Sequence, residues 1–163
     1  MIMTELPTTV RLDNDGTNVD QPPTLPFLHM WTAPDGTSRI DLSQMAGFGL
    51  KSVGGKASPQ WMRPFPGQVA AMTFAVLPVG WTGDWHESPN PQWVIPLRGR
   101  WFIETMDGTC VLMGPGDIHF GQDQATTESK GHKSGQVGDE PCFQLLIQFD
   151  TSPAAQTRNP FGG

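Results

Sequence analysis

The chain has 163 residues, enough for one domain with its own hydrophobic core. Its 16 acidic and 10 basic residues give a net charge of −6, so the composition offers no basic surface for a nucleic-acid backbone or for an anionic membrane. The 19 glycines and 16 prolines indicate many turns, and the expected partner is a small molecule or a protein.

The first half of the chain predicts a flexible arm followed by strands. Residues 1–26 hold several prolines and small polar residues without any helical or strand period, which predicts the arm. Residues 27–33 are apolar and aromatic, and a Pro-Asp-Gly turn at 34–36 leads into a return strand at 38–42. Residues 43–67 are broken by glycine and proline, which predicts short strands and long loops.

The second half predicts further strands, in apolar runs at residues 68–79, 92–97, 100–106, 109–113, 118–121 and 142–149. The runs on either side of Gly99 are expected to pair with each other, and Asp107-Gly108 is expected to form a hairpin turn. In the last run, Phe143, Leu145, Ile147 and Phe149 are expected to face inward, opposite Gln144 and Gln148.

The remaining segments are polar. Residues 122–140 form a long polar stretch, and residues 151–163 predict a tail outside the fold. Because no helical period extends over ten residues, residues 27–150 are expected to form one all-β domain. A barrel or jelly roll is the usual way to protect so many strand edges.

The two cysteines, Cys110 and Cys142, are far apart and lack the spacing of a zinc site. They predict free, reduced thiols, with small core residues as their simplest role. The N-terminus has no basic start followed by an apolar run, and no apolar stretch approaches the length of a membrane span. These features together predict a cytoplasmic protein.

Two glycine-framed motifs surround histidines. The first contains, in order, Gly80, His86, Ser88, Gln92 and Gly99. The second contains Gly108, Gly114, Gly116, His119 and Asp123.

Both motifs resemble those of the cupin superfamily, whose members are small jelly-roll barrels. The family's first motif is Gly, five residues, His, one residue, His, three or four residues, Glu, six residues and Gly. Here Ser88 stands in the place of the second histidine and Gln92 in the place of the glutamate. The second motif is Gly, five residues, Pro, one residue, Gly, two residues, His, three residues and Asn. Gly114 replaces its proline and Asp123 its asparagine.

Within the superfamily, the chain most resembles a group of small cupins. These carry a Trp-His pair, then Pro and Gln, and later a Lys-Gly-His tripeptide. The residues that carry this resemblance here are Asp84, Trp85, His86, Pro91, Gln92, Lys130, Gly131 and His132. The resemblance covers about residues 28–149. It implies a cupin double-stranded β-helix, a jelly-roll barrel with an interior pocket, but no single reaction.

In the archetypal cupin site, three histidines and one carboxylate hold a metal. The resemblance therefore implies a divalent transition metal (Fe, Mn, Ni or Zn) at His86, Gln92 and His119, completed by His132 or Asp123. Imidazole suits these metals, whereas the neutral amide of Gln92 is a weaker donor than a carboxylate.

Each candidate ligand has another interpretation. If these residues do not bind a metal, His86 would form hydrogen bonds only to the backbone and His119 would be an inward polar residue. Gln92 would bind substrate, and His132 would lie on the surface.

Four further residues are candidates for a substrate pocket. Trp85 and Trp93 flank His86 and Gln92 and would line the mouth, although core or dimer packing is the more common role of tryptophan. Glu104 is a pocket carboxylate or a solvated strand residue, and Asp123 is the fourth candidate. His29 is a weaker candidate because no partner motif surrounds it.

The leading hypothesis is a protein that binds a divalent metal and a small molecule, and that acts, if it is an enzyme, as a dioxygenase-like oxidoreductase or a lyase. The first alternative is a non-catalytic ligand binder without metal, which the neutral Gln92 favours. The second is an epimerase or isomerase with His86 and His119 as candidate bases. A homodimer is expected, with residues 27–33 at its interface.

Overall fold

The computed structural model describes residues 20–162, and within them the chain folds into β-strands with one 3-10 turn at Thr127–Ser129 and no α-helix. The strands are β1 Leu25–Thr32, β2 Ser38–Met45, β3 Gly49–Lys51, β4 Gln60–Met62, β5 Val69–Leu77, β6 Thr82–His86, β7 Gln92–Arg98, β8 Arg100–Thr105, β9 Cys110–Met113, β10 His119–Gln122, β11 His132–Val137 and β12 Cys142–Phe149. The all-β prediction is confirmed. Most of the predicted arm, residues 1–19, lies outside the described residues, and β1 begins within its last two positions.

Two sheets make up most of the fold. The six-stranded sheet has the order β2-β1-β10-β7-β12-β5, the four-stranded sheet has the order β6-β11-β8-β9, and β3 and β4 form a separate ribbon. Only β1 and β10 run parallel to each other, and the other paired strands are antiparallel. The described residues include no helix with the length and apolar character needed to cross a membrane.

The six-stranded sheet packs a hydrophobic cluster on each face, because alternate residues of a strand point to opposite sides. Leu28, Met30 and Val94 pack with Ile103 and Val111 of the four-stranded sheet. The opposite face carries an aromatic cluster of Phe27, Trp93, Phe120, Phe149 and Phe161. Both cysteines are free and buried, and Cys142 belongs to the first cluster, as predicted.

The chain changes sheets at Gly99, so the predicted pairing of the two runs around this glycine is wrong. β7 belongs to the six-stranded sheet and β8 to the four-stranded sheet. Gly99 has a φ of 73°, and a Cβ at this position would lie 2.3 Å from the carbonyl oxygen of Pro141. Only glycine fits this close backbone approach, which sends the chain across to the other sheet. The predicted hairpin of β8 and β9 around Asp107-Gly108 is confirmed.

The predicted facing of β12 is wrong with respect to the cavity, although Phe149 is buried in the aromatic cluster on the other face of the sheet. Gln144 and Gln148 face a cavity together with Leu146, whereas Phe143, Leu145 and Ile147 lie on the other face of the sheet. The prediction assumed that the apolar side of the strand faces the interior. Both faces of this sheet are apolar in part, so hydrophobicity alone does not identify the side that lines the cavity.

The C-terminal segment packs against the fold instead of lying outside it. Phe161 is buried in the aromatic cluster, its carbonyl accepts a hydrogen bond from Ala46 N–H at 3.0 Å, and the Arg63 guanidinium lies over its ring. β1 includes most of the predicted dimer interface, residues 27–33, and that role stays a prediction. It lies inside the sheet between β2 and β10, and Phe27, Leu28 and Met30 are buried.

Candidate functional site

A cavity of about 230 Å³ lies between the two sheets, and strands of both contribute to its wall. All four predicted metal ligands line it: His86 from β6, Gln92 from β7, His119 from β10 and His132 from β11. None of the lining residues in this described part of the chain is Asp, Glu, Lys or Arg. The cavity therefore combines apolar side chains with polar ones that carry no fixed formal charge.

His86 and His132 are neighbours on paired strands. They are register partners in the antiparallel β6–β11 pair, and their ring centroids lie 4.5 Å apart. Gly131 makes this approach possible, because its φ is 66° and a Cβ there would lie 2.1 Å from the carbonyl oxygen of His86. His86 is exposed at the mouth of the cavity, whereas His132 is buried.

All three cavity histidines use Nδ1 to donate a hydrogen bond. His86 Nδ1 lies 2.6 Å from Asp84 O, and His119 Nδ1 lies 3.2 Å from Leu28 O. His132 Nδ1 lies 2.6 Å from a carboxylate oxygen of Asp123. A carbonyl or carboxylate oxygen accepts but does not donate, so Nδ1 carries the proton and a neutral ring keeps the lone pair on Nε2.

Asp123 does not line the cavity and acts on it through His132. Its side chain is fully buried, with one oxygen against His132 and the other accepting the Ser88 N–H at 2.9 Å. Burial on its own would raise the pKa of Asp123, but the hydrogen bond and positive charge of His132 and the hydrogen bonds of Ser88 outweigh it and lower the pKa. Asp123 is therefore an ionised carboxylate that holds His132 in one tautomer.

The loop between Asp123 and His132 is fixed to the residue after His86. The Glu87 carboxylate accepts hydrogen bonds from the Thr126 N–H at 2.8 Å and from the Thr126 hydroxyl at 2.7 Å. The same hydroxyl accepts the Gly131 N–H at 2.8 Å. These bonds determine the position of the strand that begins with His132.

His119 lies deep in the cavity wall and stays neutral. Burial, with a smaller contribution from the positive charge of a protonated His132, lowers its pKa to about 3. A Cβ on Gly121 would come within 2.9 Å of His119 Nε2, so the glycine leaves room for this ring. The edge of the ring meets Trp101, whose centroid is 5.8 Å away. Trp101 Nε1 is buried without a hydrogen-bond partner in the described part of the chain.

Three glutamines on β7 and β12 of the six-stranded sheet line the cavity opposite His86 and His132 of the four-stranded sheet. Gln148 Nε2 donates to Gln92 Oε1 at 3.0 Å, and Gln144 Nε2 lies 3.8 Å from Cys142 Sγ. An amide both donates and accepts, so this wall suits hydroxyl and carbonyl groups. The bond from Gln148 occupies one lone pair of the Gln92 oxygen, the atom through which an amide would bind a metal.

Three of the four predicted substrate-pocket residues lie outside the cavity and do not act on it. Trp85 lies beneath Lys130, whose Nζ is 4.3 Å from its ring centroid, and Trp93 belongs to the aromatic cluster on the far face of the sheet. Glu104 alternates with the inward Ile103 and lies across from Lys133. The fourth, Asp123, reaches the cavity through His132.

His29 belongs to the far side of the six-stranded sheet. It is fully buried, its Nε2 lies 2.7 Å from Gln122 Nε2, and its ring stacks on Phe120. Burial lowers its pKa to about 4. It does not line the cavity.

The sequence analysis missed several residues that line the cavity, namely Trp81, Trp101, Ser134, Gln144 and Gln148. The two glutamines were detectable as a polar alternation in the last strand, had that face been taken as the interior. Trp81 and Ser134 lie in parts of the sequence where the pattern of apolar and polar residues does not clearly predict a strand.

The donor types in the cavity suit a transition metal, but their spacing does not. Among residues 20–162, no three His, Cys, Asp or Glu side chains are grouped so that they could hold a metal ion. Ser88, in the place of the second histidine of the motif, engages Asp123 through its main chain. The arrangement instead presents imidazole nitrogens and amides to the interior of the cavity.

Comparison of the chain with models of known protein families gives no match, and comparison with curated proteins gives none either.

Proposed function

We propose that the protein binds a small, neutral, hydroxylated molecule in the cavity between its sheets, and that His132 exchanges a proton with this ligand. The observation that carries the proposal is the buried Asp123–His132 pair, which fixes one imidazole with its Nε2 lone pair available. This makes the protein an epimerase or isomerase, the third of the hypotheses drawn from the sequence. The base is His132, whereas the sequence analysis named His86 and His119.

The lining of the cavity supports a neutral ligand. A phosphate or carboxylate substrate is normally bound by arginine or lysine, and neither residue lines this cavity. Gln92, Gln144 and Gln148 offer paired donors and acceptors to hydroxyl groups. Trp81 adds an apolar surface on the side of the four-stranded sheet, next to β6 and β11. A sugar-like polyol with a carbonyl group matches this combination of amides, imidazoles and two tryptophan side chains.

The chemistry follows from the Asp123–His132 geometry. In its neutral form, His132 takes a proton from a carbon next to the carbonyl of the ligand, and the electron pair stays on the ligand. Asp123 stabilises the imidazolium that forms. The proton then returns to the ligand, so no oxidant or reductant is needed. His119 remains neutral because its pKa is about 3, and it accepts a hydrogen bond from a ligand hydroxyl through Nε2.

A cupin-type jelly roll is part of the proposal. It is supported by the two glycine-framed motifs and by the position of their histidines on facing sheets around one cavity. The same residues carry the resemblance and line the cavity, because His86 and His119 are the histidines of the two motifs.

The test is proton exchange in D2O with a panel of neutral aldoses and ketoses, followed by proton NMR. Wild-type protein should remove the signal of the C–H next to the carbonyl, and His132→Gln should not. Glu104→Gln, outside the cavity, is the matched control and should retain the exchange. Binding of sugar phosphates or keto acids, with no exchange or binding in the neutral panel, would contradict the proposal.

A divalent metal is the second candidate function, and one observation favours it. Each cavity histidine donates from Nδ1 to an oxygen, which is the arrangement that orients a metal-binding Nε2. Elemental analysis after incubation with Zn, Fe, Mn or Ni tests it. About one equivalent, lost in both His86→Ala and His132→Ala, would support a metal site, whereas less than about a tenth of an equivalent would exclude it.

A further inference from the structure

The six-stranded sheet has two edge strands, β2 and β5, and β5 is the edge with a strongly exposed apolar face. It pairs with β12 on one side, and within the described residues no strand pairs with its other side. Its nine residues therefore present a row of unpaired backbone N–H and C=O groups.

β5 lacks the features that usually protect an edge strand. Its sequence, VAAMTFAVL, has no charged residue and no proline. Three large side chains of its outer face are strongly exposed: Met72 by 65%, Phe74 by 72% and Val76 by 51%. Phe143 of β12, the register partner of Val76, extends this apolar surface. Contiguous apolar patches of this kind mark interaction sites.

The strand is complementary to itself. In an antiparallel pair with a two-fold axis at Thr73, Met72 lies opposite Phe74 of the second copy, and Ala70 lies opposite Val76 of the second copy. Large apolar residues thus meet on the outer face, while the inner face brings together the small Ala71 and Ala75. Such an isologous pair contains no like charges, because the strand carries no charge.

We propose that two copies of this chain pair through β5 about a two-fold axis, so that their six-stranded sheets form one continuous sheet. The proposal does not depend on the proposed function. It does affect the site, because Ala75 and Leu77 of β5 line the cavity, and pairing would place both cavities next to the dimer interface. It also replaces residues 27–33, which lie inside the sheet, as the expected interface.

The test is the mass in solution, measured by light scattering on full-length protein across a range of concentrations up to about 100 µM. Wild type should have twice the 17.8 kDa mass of one chain. Met72→Lys with Phe74→Lys places like charges opposite each other and should raise the dissociation constant by about 100-fold or more. Both side chains are exposed, so circular dichroism should remain that of the folded wild type. Leu50→Lys with Val53→Lys, two exposed apolar residues away from β5, should leave the dimer intact.

A charge-exchange variant tests the register. Met72→Lys with Phe74→Glu places Lys opposite Glu across the two-fold axis and should restore the dimer that the double lysine variant loses. A wild type that stays monomeric throughout the range would overturn the proposal. This holds also if the cause is that residues 1–19 of the same chain protect the backbone amides of β5. A dimer that persists in the double lysine variant, or that the charge exchange fails to restore, would also overturn it.

Discussion

The imidazole of His132 donates its Nδ1 proton to Asp123 over 2.6 Å, and both side chains are buried. Asp123 follows β10 of the six-stranded sheet, whereas His132 opens β11 of the four-stranded sheet. The pair therefore joins two sheets as well as two side chains. Its two functions, holding a tautomer and joining the sheets, can be separated by substitution.

Asp123→Asn should reverse the tautomer of His132. The amide can still accept the Ser88 N–H through its oxygen, but its NH2 group then faces His132 Nδ1 and forces the ring proton onto Nε2. We expect proton exchange to fall by roughly 10³-fold or more, while stability falls by only about 1–2 kcal/mol. Nitrogen-15 NMR of the His132 ring reports the tautomer directly, without any ligand. An unchanged ring spectrum would show that Asp123 does not determine it.

Stability should fall as the pH is lowered from about 7.5 to about 5. Burial lowers the pKa of His119 to about 3 and that of His29 to about 4, below the ordinary value of 6.5. The unfolded chain therefore binds more protons than the folded one in this window, and unfolding becomes easier. Each histidine should contribute a loss of about 2 kcal/mol by this linkage. Asp123 adds almost nothing here, because its ordinary pKa of 3.8 and its lowered pKa in the folded state both lie below this window.

Urea unfolding at the two pH values measures this effect. His29→Gln should show a loss smaller than that of wild type by about 2 kcal/mol, whatever its absolute stability. An identical loss in wild type and variant would refute the assignment to His29.

Gly131→Ala should destabilise the protein strongly and displace His132. The new Cβ would overlap the His86 carbonyl, and the residue would also keep a positive φ. We expect a loss of about 3 kcal/mol or more, together with a change in the His132 ring spectrum. Gly108→Ala is the matched control, because its φ is 85° but nothing lies within 4 Å of a Cβ there. It should cost only about 1 kcal/mol, from backbone strain. Equal losses would mean that backbone strain, and not the contact with His86, is the cause.

Phe161→Ala tests whether the C-terminal segment is part of the fold. The ring is buried among Phe27, Phe65 and Phe120, so its removal leaves a cavity in the aromatic cluster. We expect a loss of about 3 kcal/mol in urea unfolding. Phe74→Ala, on the exposed face of β5, should change the stability of the folded chain by less than about 0.5 kcal/mol at concentrations where it is monomeric. A loss below about 1 kcal/mol for Phe161→Ala would mean that the segment is not packed in solution.

The sequence predicts much of the site, because its motifs carry spacing as well as residue type. His86, Gln92, His119 and His132 all reach one cavity. The roles of these residues were less predictable. Asp123 has no visible link to His132 in the sequence, since the eight residues between them form a loop whose course depends on hydrogen bonds from Thr126 to Glu87.

The fold could be predicted from the sequence where the turn residues are characteristic, and less well where the chain passes from one sheet to the other. The Asp107-Gly108 hairpin follows from local chemistry, whereas the change of sheet at Gly99 depends on contact with Pro141, more than 40 positions away. The predicted facing of β12 was wrong with respect to the cavity because its apolar residues cover the outer face and its glutamines line the cavity. β11 was missed because a strand rich in Ser, Gly and Gln has little intrinsic β preference.

The hydrogen bond between Asp123 and His132 also restricts how the cavity can open. Any movement that separates the two sheets at this point lengthens the bond, and His132 then loses the carboxylate that fixes its ring orientation and tautomer. Under the proposed function, His132 would present its oriented Nε2 to a ligand only while the two sheets stay together.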